Sequence, residues 1–422
     1  MDIVIEPSSL CGEIGAIASK SDAHRVLICA SLAEKTVHVK MQKNTSKDIQ
    51  ATIACIKAMG AQVETLENKY IITSGKPVEG YTLDCGESGT TLRLLLPVAA
   101  VMGREFTAVG HGRLPQRPMS HLVSAMNENG CEIDSDYLPI RVSEKLKSGI
   151  FKLPGNISSQ YISGLLIALP MLEGDSRIVL TTKLNSVGYV NMTIDTLKQF
   201  NIDIKRTNDG FYIKGGQKYR ADKEIEVQGD WSNSAFWLTV GAISGRITVN
   251  SLPKVSSQGD REIVRILDEM GAKVKTKVNS VSVCRTQLDS ISLDAEDIPD
   301  LVPVVAVAMA VANGESTIYN ISRLRLKESD RVHTVACMLN ALGAEVEEKD
   351  NALVIKGKNK LSGGDVDSFN DHRIAMAAAV ASTVCKNKVT ITNAQAVEKS
   401  YPDFFNHFKT LGGKINVITN RE

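Results

Sequence analysis

Apolar positions recur along this chain with a period of about 70 residues, as expected for a repeated structural unit. In each copy, a helix with one apolar face ends at a glycine, or once at an asparagine, and a short alternating stretch follows. Glycine and asparagine suit the left-handed conformation at such a helix end. The six evenly spaced capping residues are Gly60, Gly130, Asn201, Gly271, Gly343 and Gly412. The stretch after each cap, such as residues 345–355, predicts a β-hairpin.

A second helix, richer in alanine, leucine and valine, also recurs in every copy. Its six predicted starts lie near Ser21, Gly89, Ser159, Ser232, Asp300 and His372. These helices are apolar on most sides, so we expect them to be buried. Each copy therefore predicts two helices and about four short strands, which together give an α/β (α+β) fold.

Six copies in 422 residues are too many for one core, and three plus three is the natural division. The break is expected near residues 228–230. The first strand, before Lys20, would then join the second lobe if both lobes close in the same way. The predicted lobes are residues 1–18 plus 229–422, and residues 19–228.

The charge balance restricts the function classes. Lysine and arginine number 49 against 48 acidic residues, and aromatic residues make up 5% of the chain. This argues against a nucleic-acid-binding or membrane-surface protein, so any cationic site is local. The eight cysteines are scattered and form no Cys-x-x-Cys pair, which argues against a structural zinc site. The start of the chain lacks a signal-peptide pattern, and the small-apolar run 301–312 is shorter than the roughly 20 residues of a membrane helix. We expect a soluble cytoplasmic protein.

One position of the repeat carries an unusual share of cations. About a dozen residues before the caps stand Asp48, Arg117, Tyr189, Asp260, Arg331 and Lys399. A helix start favours serine, threonine or aspartate there and disfavours a cation. An arginine or lysine is useful at that point if an anion lies between it and the free N–H groups.

The buried helices also begin with polar residues. They are Lys20, Ser21 and Arg25; Ser88, Gly89 and Thr90; Ser158, Ser159 and Gln160; and Asp371, His372 and Arg373. Hydroxyl groups beside glycine can donate to phosphate oxygens. The chain has no Walker motif or Gly-x-Gly-x-x-Gly. These starts predict a site for small anions rather than a standard nucleotide loop.

Each of these residues also has a purely structural interpretation. Ser158 and Ser159 could form an N-cap pair, Tyr189 could be a packing residue, and Asp300 could be an N-cap. Arg93 and Arg141 are interpreted as salt-bridging or solvated. The recurrence of polar and basic residues at helix starts in both halves favours the anion site.

Several motifs, in one order along the whole chain, carry a resemblance to a known family. They are Ser19-Lys20-Ser21 with His24-Arg25, Ser88-Gly89-Thr90-Thr91-Leu92-Arg93, Gln116-Arg117-Pro118, Ser158-Ser159-Gln160, Asp297-Ile298-Pro299-Asp300, Arg325 to Arg331, Asn370-Asp371-His372-Arg373, and Lys399-Ser400-Tyr401-Pro402. The sequence closely resembles the 5-enolpyruvylshikimate-3-phosphate synthase family of enolpyruvyl transferases.

The resemblance implies an inverse-barrel-like fold of two lobes, each with three repeat units. It implies an active site in the cleft between lobes that close on their ligands, and a monomer. The implied reaction transfers the enolpyruvyl group of phosphoenolpyruvate to the 5-hydroxyl of 3-phosphoshikimate, a step of chorismate and aromatic amino-acid biosynthesis. It needs no metal or redox cofactor.

The resemblance also implies roles for individual residues. The residues expected to bind the phosphate of phosphoenolpyruvate are Lys20, Gly89, Arg117 and Lys399. Its carboxylate is expected to be bound by Arg331 and Arg373. The residues expected to bind 3-phosphoshikimate are Ser21, Arg25, Ser158, Ser159, Ser186, Tyr189, Asp300 and Lys327. Gln160 would contact both substrates. Asp300 is the expected base for the 5-hydroxyl, and Glu328 and Lys20 would handle the other protons.

Four places depart from the family pattern, at Ala23, Glu87, Val187-Gly188 and Arg323. They affect the positioning of 3-phosphoshikimate rather than the reaction class.

The sequence disfavours two other functions. A transferase acting on UDP-N-acetylglucosamine characteristically has a reactive cysteine in the loop corresponding to residues 111–117, where this chain has none. A non-catalytic or RNA-end-processing protein on related repeats predicts a basic groove, which the balanced charge disfavours.

Overall fold

The computed structural model describes residues 1–41 and 46–418, and its internal contacts divide the chain into two units. The discontinuous unit contains Met1–Ser19 and Gln228–Glu422, and the continuous unit contains Lys20–Val227.

Two kinds of α-helix alternate along the chain. In order they are α1 (Lys20–Ser31), α2 (Lys47–Ala58), α3 (Gly89–Val101), α4 (Ser120–Asn127), α5 (Ser159–Ala168), α6 (Val187–Gln199), α7 (Trp231–Ile243), α8 (Ile263–Glu269), α9 (Val302–Met309), α10 (Arg331–Ala341), α11 (His372–Ser382) and α12 (Phe404–Thr410). The odd-numbered helices are the apolar ones, and each begins at or close to its predicted start. The even-numbered helices bury one face. The helical part of the repeat is therefore confirmed.

The predicted helix caps are also confirmed. All six capping residues have a positive φ, from 58° at Asn201 to 105° at Gly412. A residue with a Cβ is disfavoured in this conformation, and asparagine tolerates it better than most. After the fifth cap the predicted hairpin is present, since residues 345–349 pair antiparallel with residues 352–356.

The strands are short, at two to five residues each. They are β1 (Asp2–Glu6), β2 (Cys11–Gly15), β3 (Val37–Lys40), β4 (Gln62–Thr65), β5 (Lys69–Thr73), β6 (Tyr81–Asp84), β7 (Phe106–Val109), β8 (Ile140–Val142), β9 (Ile150–Leu153), β10 (Ser176–Leu180), β11 (Lys205–Thr207), β12 (Gly210–Ile213), β13 (Ile225–Glu226), β14 (Arg246–Asn250), β15 (Lys273–Thr276), β16 (Ser280–Cys284), β17 (Ser292–Asp294), β18 (Glu315–Tyr319), β19 (Glu345–Lys349), β20 (Ala352–Lys356), β21 (Gly364–Asp367), β22 (Val389–Thr392) and β23 (Lys414–Ile418).

Within the described residues each unit has three open sheets. Those of the continuous unit have the orders β13-β3-β5-β4, β6-β7-β8 and β11-β12-β10-β9. Those of the discontinuous unit have the orders β15-β16-β14-β2, β17-β18-β20-β19 and β21-β22-β1-β23. Every sheet contains one parallel pair, such as β17 with β18. Five sheets have the predicted four strands and two antiparallel pairs, whereas β6-β7-β8 has three strands and one antiparallel pair.

The two ends of the repeat series are joined by strands from elsewhere in the chain. The parallel partner of β3 is β13, from the end of the continuous unit, and the parallel partner of β14 is β2. Strand β1 pairs antiparallel with both β22 and β23, with Ile3 opposite Ile391 and Val417. The N-terminal segment thus completes two sheets of the discontinuous unit.

The buried helices form the core of each unit. In the discontinuous unit α7, α9 and α11 contact one another, and every residue of α9 and α11 is buried. In the continuous unit α3 packs against α5. Each buried valine, leucine or isoleucine side chain contributes about 1.5–3 kcal/mol. Many of the site residues described below therefore lie at the starts of helices that are held firmly by the core.

Residues 1–41 and 46–418 contain no helix that is both long enough and apolar enough to cross a membrane.

Candidate active site

A contact between positions 28 residues apart explains why polar residues collect at one place in the repeat. Lys20, the first residue of α1, forms a 2.7 Å ion pair with Asp48. Ser232, in the first turn of α7, donates a hydrogen bond to Asp260. Gly89, the first residue of α3, lies against Arg117. The start of a buried helix thus faces the segment that leads into the next amphipathic helix.

Arg117 and Lys399 do not begin α-helices, which corrects the prediction for these two cations. Arg117 is extended, with ψ of 116°, because it precedes Pro118 and a residue before proline is disfavoured in the helical conformation. Lys399 is the last residue of a 3₁₀ helix, and its Nζ donates to the Asn370 carbonyl at 2.7 Å. Arg331, by contrast, is the first residue of α10.

Arg331 is the centre of an ionic cluster in the discontinuous unit. Its side chain is 1% exposed and bonds to three carboxylates. Nε donates to Asp371 at 2.8 Å, Nη1 to Asp300 at 2.9 Å and Nη2 to Glu328 at 2.7 Å. Although burial opposes ionisation, Asp371, Glu328 and Asp300 raise the pKa of Arg331. The guanidinium is permanently charged and held in one orientation.

Arg373 approaches Asp300 from the start of α11. It donates to the Asp300 carboxylate at 3.0 Å and to the Asp300 backbone carbonyl at 3.1 Å. Lys327 Nζ lies 3.8 Å from the same carboxylate. Asp300 is not an N-cap, since that position of α9 is Leu301; instead, three cations from two segments of the chain converge on its carboxylate.

These cations determine the protonation of Asp300. Burial alone would raise its pKa, but Arg373, Lys327 and Arg331 outweigh burial and hold the pKa well below its usual value. Asp300 is ionised at neutral pH. It is a weak base as long as both arginines remain bonded to it.

Asp371 anchors the cluster at the start of α11. It caps the helix by accepting from the Arg373 backbone N–H at 2.9 Å, and its side chain also accepts from Ser329 at 2.9 Å and from Arg331. Burial opposes its ionisation, but mainly Arg331 lowers the pKa. Asp371 joins the starts of α10 and α11 and so fixes the two arginines relative to each other.

In the continuous unit, Arg25 is held by neutral groups. It is 1% exposed. It donates to Thr193 Oγ1 at 2.7 Å, to the Ser21 carbonyl at 2.6 Å, to the Tyr189 carbonyl at 3.2 Å and to Ser163 Oγ at 3.5 Å. These contacts bring together the starts of α1 and α6. Four of the predicted 3-phosphoshikimate residues lie there, namely Ser21, Arg25, Ser186 and Tyr189.

Ser186 has a backbone conformation that serine seldom adopts. Its φ is 54° and its ψ is 45°, in the left-handed region, directly before α6. Its carbonyl accepts from the Tyr189 N–H at 3.0 Å. Strain of this kind persists where the surroundings fix it, and it often marks a binding site.

The starts of α3 and α5 are joined by Gln160. Its side chain donates to Thr90 Oγ1 at 2.8 Å and accepts from Arg93 at 2.9 Å. Arg93 also lies over the Tyr161 ring, with 5.4 Å between the guanidinium carbon and the ring centroid. The prediction that Arg93 is solvated is wrong, because its side chain is buried. It is a buried part of this cluster, whereas Arg141 forms an exposed ion pair with Glu105.

A chain of hydroxyl groups holds the turn before Gly89. His24 Nδ1 lies 2.7 Å from Thr52 Oγ1, which lies 2.7 Å from Thr91 Oγ1. Thr91 donates through its hydroxyl and its backbone N–H to Ser88 Oγ, the N-cap of α3. Burial, followed by Lys20, lowers the pKa of His24, so the ring is neutral. Ser158 caps α5 in the same way, accepting from the Gln160 N–H at 3.3 Å.

The predicted residues thus form two local clusters. Lys20, Arg25, Arg117, Gln160 and the serines lie in the continuous unit, and Asp300, Lys327, Glu328, Arg331, Arg373 and Lys399 lie in the discontinuous unit. Motif reasoning did not assign a role to Asp48, Arg93, Asp260 or Asp371. The constant spacing between a helix start and its partner could have identified Asp48 and Asp260.

Among the described residues, no group of three or more histidine, cysteine, aspartate or glutamate side chains is arranged to hold a metal ion.

Comparison with known proteins adds an independent finding. Residues 4–408 match the family model for EPSP synthase (3-phosphoshikimate 1-carboxyvinyltransferase). Proteins named 3-phosphoshikimate 1-carboxyvinyltransferase from Clostridium novyi and Clostridium acetobutylicum are 42% and 43% identical, over 98% of both chains in each case.

Solved structures show the same fold. The EPSP synthase of Acinetobacter baumannii matches with a TM-score of 0.83 and 24% identity, over 99% of this chain and all of that one. The enolpyruvyl transferase NikO of Streptomyces tendae matches with a TM-score of 0.80 and 16% identity, over 98% of each chain.

Proposed function

The chain belongs to the EPSP synthase family, and we propose that it transfers the enolpyruvyl (1-carboxyvinyl) group of phosphoenolpyruvate to the 5-hydroxyl of 3-phosphoshikimate. The products are 5-enolpyruvylshikimate 3-phosphate and inorganic phosphate, in the biosynthesis of chorismate and the aromatic amino acids. The observation that carries this proposal is the match of residues 4–408 to a family with that activity.

The reaction proceeds by addition and elimination. A proton adds to the methylene carbon of phosphoenolpyruvate, and the 5-hydroxyl oxygen bonds to the neighbouring carbon as it loses its proton. The tetrahedral intermediate then loses phosphate, and a proton leaves the methyl group to restore the double bond. A base, an acid and cations for a phosphate and a carboxylate are required.

Arg331 and Arg373 bind the carboxylate of phosphoenolpyruvate. Two guanidinium groups on neighbouring helix starts suit a planar carboxylate, since each can offer parallel N–H donors. In the ligand-free protein Asp300 and Glu328 accept from these donors. A substrate carboxylate therefore replaces the protein's own carboxylates as the acceptor of these hydrogen bonds.

This exchange prepares Asp300 to act as the base. When the arginines turn to the substrate, less positive charge remains on Asp300, and its pKa rises from the depressed ligand-free value. Asp300 then accepts the 5-hydroxyl proton more readily. Glu328, released from Arg331 in the same way, and Lys20 handle the protons at the methylene carbon and the departing phosphate.

The remaining cations hold the phosphate groups. Lys20, the Gly89 backbone, Arg117 and Lys399 bind the phosphate of phosphoenolpyruvate. The residues for 3-phosphoshikimate are Ser21, Arg25, Ser158, Ser159, Gln160, Ser186, Tyr189, Asp300 and Lys327. Arg93 supports both sets, because its bond to Gln160 fixes the amide that contacts both substrates.

The protein acts in the cytoplasm as a monomer and without a cofactor, and its partners are its two substrates. The eight cysteines are free thiols, which supports a reducing compartment.

Phosphate release from phosphoenolpyruvate tests the proposed reaction. The purified protein is assayed with 3-phosphoshikimate and, separately, with UDP-N-acetylglucosamine as acceptor. We expect turnover with 3-phosphoshikimate alone, and its loss in Asp300→Asn, which a contaminating phosphatase would not show. Release that depends on UDP-N-acetylglucosamine, or no release with 3-phosphoshikimate, contradicts the proposal.

A further inference from the structure

Asp260 is a buried carboxyl group to which the proposed mechanism assigns no role. It lies in the 3₁₀ helix Gly259–Glu262 and is 2% exposed. Its Oδ2 accepts a hydrogen bond from Ser232 at the start of α7. Its Oδ1 is buried and has no hydrogen-bond partner among residues 1–41 and 46–418.

The same position of the repeat is occupied by Asp48 in the continuous unit. Both aspartates contact the residue 28 positions earlier. For Asp48 that residue is Lys20, which forms an ion pair with it, whereas for Asp260 it is the hydroxyl of Ser232. A carboxylate that is buried without its own cation is costly, and such a group tends to take up a proton instead.

The charged groups around Asp260 belong to the cluster of Asp300 and Arg373. Burial is the main influence on Asp260 and Asp300 is the next, and with Asp230 they raise its pKa to about 7 against the opposing effects of Arg373 and Ser232. Asp230 is the N-cap of α7.

Four further charged groups lie on or beside the 3₁₀ helix, and one of them, Arg261, donates to the Lys254 carbonyl at 2.7 Å. Helix α8 also packs against it, and Arg265 of that helix is paired with Glu262 and Glu269. The burial of Asp260, its unpartnered Oδ1 and the nearby Asp300 together favour the protonated form of Asp260 beside the proposed carboxylate site.

On the basis of the proposed function, we propose that Asp260 is a positioning residue that holds a proton beside Asp300 and so sets the net charge that a substrate carboxylate meets at Arg373. With the proton in place, Asp300 is the only negative charge of this pair. When Asp260 loses the proton, a second negative charge near Arg373 opposes the incoming anion. Substrate binding and protonation of Asp260 favour each other, and this coupling is reciprocal.

The direction of the pH effect follows from this coupling. Below pH 6 the wild type and Asp260→Asn carry the same charge at this position, and their KM values for phosphoenolpyruvate should be similar. Above pH 8 only the wild type gains a negative charge. Its KM should then exceed that of Asp260→Asn by about tenfold, a coupling of ordinary size. The ratio of the two KM values cancels the titration of the substrate itself.

The experiment measures KM for phosphoenolpyruvate from pH 5.5 to 9 at saturating 3-phosphoshikimate. Glu262→Gln, a surface change two residues away, is the matched control and should keep the wild-type profile. The KM for 3-phosphoshikimate should not show the transition. A KM ratio between wild type and Asp260→Asn that stays constant with pH overturns the proposal.

Two measurements keep the proposal testable if Asp260→Asn fails to fold or the protein lacks the proposed activity. Because the Ser232 hydrogen bond lowers the pKa of Asp260, Ser232→Ala should move the KM transition to higher pH. In NMR spectra of the ligand-free protein with ¹³C-labelled aspartate, one carboxyl group should titrate near pH 7. Its titration midpoint should move to higher pH in Ser232→Ala. A ligand-free protein in which no aspartate titrates between pH 6 and 8 overturns the proposal independently of turnover.

Discussion

Arg25 in the continuous unit and Arg331 in the discontinuous unit are both 1% exposed, yet their partners differ in charge. Arg25 donates to two hydroxyl groups and two backbone carbonyls. Arg331 donates to three carboxylates. Burial lowers the pKa of Arg25 to about 10, with Asp22 opposing that shift, whereas the carboxylates outweigh burial and raise the pKa of Arg331.

Under the proposed function, this difference gives the two arginines separate roles. A guanidinium held by neutral groups keeps its full positive charge for a multiply charged phosphate. The positive charge of a guanidinium held by carboxylates is balanced by them until a substrate carboxylate takes their place, and the released carboxylates can then move protons. The first arrangement favours binding, and the second couples binding to chemistry.

Removing Arg331 should have the largest effect. Arg331→Met leaves Asp371 buried without its main cation, and breaking a buried pair in this way costs about 3–5 kcal/mol. Arg25→Met removes bonds to neutral groups and should cost less, about 1–3 kcal/mol. Urea unfolding of both variants measures the difference. An equal loss of stability would show that the charge of the partners does not matter.

Arg373→Ala should weaken the binding of phosphoenolpyruvate much more than the binding of 3-phosphoshikimate. Loss of one charge-assisted carboxylate contact corresponds to about 1.5–3 kcal/mol, or roughly 10- to 150-fold in KM. Arg25→Ala is the matched control and should show the reverse preference. Initial rates with each substrate varied in turn give both KM values. Equal losses for the two substrates in Arg373→Ala would refute the carboxylate role.

Gly89→Ala should have the smallest effect of the three. A Cβ at position 89 would lie 2.7 Å from Arg117 Nη1, so the guanidinium must move away from the proposed phosphate site. Arginine is flexible, so we expect the fold to be kept and the KM for phosphoenolpyruvate to rise about tenfold, a loss of about 1.4 kcal/mol. Gly80→Ala offers a control at a glycine with no atom near its Cβ position, although its positive φ adds some strain. An unchanged KM in Gly89→Ala would remove Arg117 from the phosphate site.

Much of the fold could be predicted because short local sequence patterns define the elements of the repeat. Gly60 and Asn201 mark helix ends through backbone conformation alone, and the apolar run of α9 marks a buried helix. The resemblance then selected the site residues. The same local reasoning placed Arg117 at a helix start, although Pro118 next to it already argues for an extended residue.

The partners of the arginines could not be predicted in this way. Asp371 is 40 residues from Arg331, and Gln160 is 67 residues from Arg93. Such contacts depend on how the helix starts are brought together by packing, which no local pattern records. The environment of Asp260 is likewise set in three dimensions, because its hydrogen bond comes from Ser232, 28 residues earlier, and its other carboxylate oxygen has no hydrogen-bond partner among the described residues.

A structure of the protein with phosphoenolpyruvate alone, which cannot turn over without an acceptor, tests the central claim most directly. We expect the substrate carboxylate within hydrogen-bond distance of Arg331 and Arg373, and the 2.9 Å bond from Arg331 to Asp300 lengthened beyond hydrogen-bond range. Asp300 still bonded to both arginines, with the substrate carboxylate held elsewhere, would contradict the account.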